Sequence, residues 1–136
     1  MIQKLIDTND QQWYETDMPD ECPPADAFGV NGRFYRFVSD SPSEDDFIPH
    51  SRLYPDRSFL GMECQARAIS VFSSVEDCNK LRKLSPKFRN KSVAAVQLTP
   101  CDGVIMHTPS SLSNAHYSWW RAALCQTVNY TVLSNE

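Results

Sequence analysis

Glycine is scarce in this chain, with four among 136 residues against nine prolines. That ratio excludes flexible glycine-rich linkers and fits defined turns, because proline locks φ where glycine frees it. No apolar run approaches the roughly 20 residues that a membrane-spanning helix needs. The first ten residues, MIQKLIDTND, lack the apolar segment of a secretion signal. No two cysteines stand in a CxxC spacing, which excludes zinc-ribbon and thioredoxin-like motifs. Internal repeats and low-complexity tracts are absent too.

What is present describes an ordinary globular chain. Hydrophobic residues make up 41% and charged residues 22%, and the length suits one domain that needs neither metal nor disulfide to fold. The net charge of −4 is unevenly spread: residues 1–50 hold eleven acids and three bases, residues 51–136 six acids and ten bases. An acidic net charge speaks against a general nucleic-acid binder and is neutral about membranes, for which no signal appears. The five cysteines, Cys22, Cys64, Cys78, Cys101 and Cys125, are odd in number and widely spaced. Free thiols in a reducing cytoplasm are the simplest expectation.

Patterning along the chain divides it into an irregular acidic N-terminal arm, residues 1–27, and a single α+β domain, residues 28–136. Prolines at 19, 23 and 24 break the arm; Trp13 and Tyr14 are its candidate anchors. After Gly32, RFYRFVS alternates as a strand, with Phe34, Arg36 and Val38 on one side and Arg33, Tyr35 and Phe37 on the other. Acids at 44–46 suggest a short helix anchored by Phe47. ARAISVFS (66–73) reads as a buried strand. Ser74 opens a capping signal for a helix over 75–84, whose stripe is Val75, Cys78, Leu81 and Leu84. SVAAVQL (92–98) and VIM (104–106) read as strands joined by a short turn, hence a hairpin. HYSWWRAALC is expected to be a helix capped by Asn114, and 127–133 a strand closing the sheet. The fold class is α+β, a mainly antiparallel sheet of four to six short strands with a few helices.

Chemistry concentrates in Cys101–Trp120, which holds His107, His116, Asn114, Tyr117, Trp119 and Trp120. Histidine titrates near neutral pH and can exchange protons, and flat rings can stack on a ligand. His107 and His116 are therefore the candidate catalytic groups, with Tyr117 and Trp119 as ligand contacts. A metal site is not expected, because His107, His116 and Cys101 match no usual ligand spacing and His50 is far off in sequence. The bases Lys80, Arg82, Lys83, Lys87, Arg89 and Lys91 cluster where they could meet phosphates or simply face solvent.

One pattern spans several elements: Arg36 within FYRFVSDSP, then Asp46-Phe47-Ile48-Pro49, then a serine-bearing strand running into a helix, AISVFSSVEDC. This order resembles the start of ADP-ribosyltransferase-like domains. The resemblance implies that Arg36 holds a phosphate through its planar fork, that Ser70 and Ser73 frame the ligand, and that NAD is a candidate substrate. The catalytic glutamate of that family has no counterpart, since no glutamate lies between Glu76 and Glu136. A histidine or Gln97 would have to replace it. The expected function is a small cytoplasmic domain with a nucleotide-sized pocket, built from Arg36, Ser70, His107, His116, Tyr117 and a tryptophan. The alternative is a non-enzymatic interaction module that uses the acidic arm and exposed aromatics on a protein partner.

Overall fold

A computed structural model describes residues 12–16 and 18–133. The rest of the acidic arm, residues 1–11 and 17, lies outside them, as do residues 134–136. One seven-stranded antiparallel sheet organises the chain, more strands than sequence patterning suggests. The strands are β1 (Phe28–Gly29), β2 (Gly32–Val38), β3 (Ile69–Phe72), β4 (Ser92–Leu98), β5 (Gly103–His107), β6 (His116–Arg121) and β7 (Tyr130–Val132). Their order in space is β1-β5-β6-β3-β2-β4-β7. Among the described residues three α-helices punctuate them: α1 (His50–Leu53), α2 (Glu63–Ala66) and α3 (Val75–Leu84). No described helix is long and apolar enough to cross a membrane.

Local chemistry sets most boundaries. Ser74 caps α3 by accepting from the Asp77 backbone N–H at 3.2 Å, with acids in the first turn and Arg82 and Lys83 in the last. Leu81 and Cys78 form its buried stripe. Ser43 and Asp46 make a reciprocal capping box around the 3₁₀ turn Glu44–Phe47, which buries Phe47 completely.

The sheet buries both faces. Phe34 and Val38 of β2 meet Ile69, Val71, Val96, Ile105 and Trp119 on one side. Tyr35 and Phe37 meet Phe72, Val93, Cys78 and Leu81 beneath α3 on the other. The alternation read from RFYRFVS holds for Phe34 and Val38 against Tyr35 and Phe37.

Three expectations are corrected. HYSWWRAALC is strand β6 and a following turn, not a helix. Its pairing partners decide this: His116–Trp119 pair with β3 and Tyr117–Arg121 with β5, and aromatic residues suit a strand buried on both faces. Trp119 and Trp120 consequently point to opposite sides, both almost fully buried, donating to the carbonyls of Asp102 at 2.9 Å and Cys64 at 3.0 Å. The 92–98 and 104–106 strands form no hairpin. β4 pairs with β2 and β7, whereas β5 pairs with β1 and β6 across the sheet. The 3₁₀ turn Pro100–Asp102 redirects the chain between them. Finally, the thiols are not all free: Cys22 and Cys64 form a disulfide that ties the arm to α2, leaving Cys78, Cys101 and Cys125 unpaired.

The arm is held at further points. Trp13 bridges Ala122, and the Tyr14 N–H donates to the Arg121 carbonyl at 2.9 Å. The Arg121 guanidinium, 3.9 Å from the centre of the Tyr14 ring, donates to the Cys125 and Phe47 carbonyls at 2.8 and 2.9 Å. Burying this charge is tolerable because its hydrogen-bonding capacity is spent on nearby acceptors.

Gly103 marks the tightest backbone approach. Its φ is +134°, and a Cβ there would run into the Trp120 carbonyl oxygen. Gly103→Ala is therefore expected to destabilise the fold by at least about 2 kcal/mol in urea titration. Reduction of Cys22–Cys64, which closes a loop of sequence separation 42, should lower stability by about 2–4 kcal/mol. Melting curves with and without reductant check this against a Cys22→Ser/Cys64→Ser variant, which reductant should leave unchanged.

Candidate functional site

Between β2 and β3 the sheet parts. The two strands pair only at Tyr35 and Phe72, although β2 continues to Val38 and β3 begins at Ile69. Arg36 fills the opening. Its Nε donates to the Asp46 carbonyl and its Nη1 to the Ser70 carbonyl, both at 2.7 Å. Nη2 has no protein acceptor among the described residues. Burial pulls the Arg36 pKa down to about 10, opposed by the charge of Asp46, so the guanidinium stays cationic at neutral pH.

Beside it lies a hydrogen-bonded pair from adjacent strands. The Ser70 hydroxyl of β3 is 2.9 Å from Nε2 of His116 on β6. The other ring nitrogen, Nδ1, is 2.8 Å from the Thr108 carbonyl and 3.0 Å from the Thr108 hydroxyl. A carbonyl can only accept, so Nδ1 carries the hydrogen and neutral Nε2 accepts from Ser70. The Thr108 hydroxyl is also 2.8 Å from that of Ser118. Burial lowers the His116 pKa, with Arg36 and His107 adding to the effect, against the opposing hydrogen bond that Nδ1–H donates to the Thr108 carbonyl. Neutral imidazole is the resting form at pH 7.

These groups line a cleft of about 280 Å³ with Phe37, His50, Phe72, Leu81, Lys87, Phe88, Lys91, Ser110 and Leu112. A second lobe of about 190 Å³ shares His50, Ser70 and His116 and continues to Phe59, Met62, Gln65, Ala66 and Ser118. Ser70 and His116 thus stand where the lobes meet. In the first lobe Phe37 stacks on Phe88, ring centres 4.3 Å apart, and Phe72 meets His116 edge-on at 5.4 Å. Every ionisable side chain lining the first lobe is a base: Arg36, His50, Lys87, Lys91 and His116. This combination suits an anionic ligand with an apolar or flat part.

Arg36, Ser70 and His116, expected from sequence as a ligand-binding and catalytic set, converge here. Lys87 and Lys91 from the basic cluster join them. The other candidates lie elsewhere. Exposed His107 is bonded to the Asn114 carbonyl at 2.7 Å and packed on Tyr117. Tyr117 meets Phe34 on the opposite sheet face, Trp119 lies in the core, and Ser73 is exposed beyond β3. His50 is distant from the other histidines in sequence. Tertiary folding alone brings α1 to the cleft, and no local motif marks it.

The described residues place no group of three histidine, cysteine or acidic side chains to hold a metal ion. The buried thiols are poor nucleophiles: burial pushes Cys78 up to about 12 and Cys125 up to about 11. Compared with known proteins, the chain matches no family model, no curated protein and no solved structure.

Burial also lowers the His50 pKa, helped by Arg36, Lys87 and Arg57. Both histidines therefore bind protons more weakly folded than unfolded, where the value is 6.5. Stability is expected to be level above neutrality and to fall as pH drops below about 6.5 toward the folded pKa values. Urea titrations between pH 5 and 8 measure the slope, and His116→Gln should flatten it.

Proposed function

We propose that the cleft binds a nucleotide-sized anionic ligand and that His116 acts there as an acid–base group. The observation that carries this reading is the meeting of Arg36, Ser70 and His116 in a cleft whose ionisable lining is entirely basic. In this reading Nη2 of Arg36 grips a phosphate, Lys87 and Lys91 add positive charge at the rim, and the stacked Phe37 and Phe88 border the flat part of the ligand. Ser70 orients it through its hydroxyl. The resemblance to ADP-ribosyltransferase-like domains makes NAD a candidate substrate. No carboxylate lines the cleft to take the family's glutamate role, so any proton transfer falls to the histidines, and His116 is the one in position.

A second reading has its own observation. Leu53, Tyr54, Leu60 and Met62 are all strongly exposed within one short stretch, a surface suited to a protein partner. This surface would add to the interaction-module alternative, which uses the acidic arm and exposed aromatics. Cytoplasmic residence belongs with both readings as a proposal, and the Cys22–Cys64 disulfide weighs against it because such bonds persist in oxidising compartments.

Thermal-shift measurements separate the readings. ADP or NAD at about ten times its Kd should raise the melting temperature by about 5 °C. Lys87→Ala/Lys91→Ala, which alters two exposed side chains, should weaken affinity about tenfold without changing the melting temperature of the free protein. Absence of any shift at millimolar nucleotide would leave the interaction module.

A further inference from the structure

We propose that Ser70 is a nucleophile activated by His116, and that the cleft transfers an acyl group from an ester whose alcohol portion carries a phosphate. The geometry carries this. A serine hydroxyl donates to a neutral imidazole at 2.9 Å, and a backbone carbonyl at 2.8 Å holds the other ring nitrogen, so the base is already turned toward the hydroxyl. Nucleophile, base and orienting group in sequence of hydrogen bonds is the arrangement that activates a serine. The pair lies at the junction of the two lobes. One lobe is basic. The other, lined by Phe59, Met62, Ala66 and Gln65, carries no acid or permanent cation. A scissile bond over Ser70 therefore has a place for an anionic group on one side and a compact apolar acyl group on the other.

The chemistry balances with water as the only co-reactant. Ser70 Oγ bonds to the ester carbonyl carbon while its proton passes to Nε2 of His116. Arg36, in contact with the Ser70 backbone, offsets the negative charge that develops on the carbonyl oxygen. The carbon–oxygen bond to the alcohol breaks, and His116 returns its proton to the departing alcohol. Water, deprotonated by His116, then bonds to the acyl carbon; the bond from that carbon to Ser70 Oγ breaks, His116 returns the proton to Oγ, and the acyl group leaves as a carboxylic acid. This substrate class rests on the anionic-ligand reading of the basic lobe; the nucleophile itself does not.

The test uses a neutral alkyl fluorophosphonate on the full chain. Its Ser70 reaction forms an O–P bond and expels fluoride. Intact-mass and peptide mass spectrometry should show one adduct, on Ser70, absent in Ser70→Ala. His116→Gln should slow labelling about 100-fold. In the wild-type protein the labelling rate should rise with pH and level off by about pH 7, as His116 loses its proton, a readout that does not require the variant to fold. Saturating ADP should slow labelling. No adduct, an adduct on Ser110 or Ser118 instead, or a rate indifferent to pH between 5 and 7 would overturn the nucleophile. If labelling fails while the ADP thermal shift persists, the ligand cleft stands and only the nucleophile falls. If Ser70 is labelled but ADP neither shifts the melting temperature nor slows labelling, the phosphate-bearing substrate falls.

Discussion

The guanidinium of Arg36 stands where two neighbouring strands stop pairing. Beyond Tyr35 and Phe72, ladder bonds between β2 and β3 give way to the two donations from Arg36 to the Ser70 and Asp46 carbonyls. A strand carbonyl that loses its ladder partner inside a protein must find another donor or cost stability. Arg36 supplies that donor and joins three segments: β2, the 3₁₀ turn that ends at Phe47, and β3. The opening it maintains is the cleft. Structure and candidate function thus share one residue, and the charge brought in to satisfy two carbonyls is also the charge on which the proposed anion binding rests.

Polar groups elsewhere obey the same rule. Arg121 satisfies the carbonyls of Cys125 and Phe47 while lying over Tyr14, and the β6 tryptophans place their indole N–H groups on the carbonyls of Asp102, in a 3₁₀ turn, and Cys64, in α2. His116 is fixed by Thr108 on one side and Ser70 on the other. These donors tie the segments around the sheet to its strands. The rigidity matters for the site, since a base is useful only where its nitrogen keeps its direction.

Local signals in the sequence were reliable where the cause is local. The α3 helix follows from the Ser74 cap and the spacing of Cys78 and Leu81; the two faces of β2 follow from alternation; the turn at 44–47 follows from its acids. The 116–125 segment misled for a physical reason. Asn114 looks like a helix cap and Ala122–Leu124 are good helix formers, yet two strands on either side offer complete pairing to His116–Arg121. Tertiary pairing overrode propensity. Short connection length suggested a β4–β5 hairpin, and the same kind of non-local pairing sent the two strands to different parts of the sheet.

Arg36, Ser70 and His116 could be singled out from residue chemistry and a family resemblance, because side chains carry their capacity to bind charge or move protons wherever they stand. The α+β class and the basic stretch that contributes Lys87 and Lys91 were legible for the same reason. Only tertiary structure decided that His116 rather than His107 meets Ser70, that His50 joins them, that Trp119 and Tyr117 turn away, and that Cys22 finds Cys64. Strand order and face set those outcomes. A one-residue step along a strand reverses the direction of a side chain, and no property of a single residue says which neighbour a strand will choose.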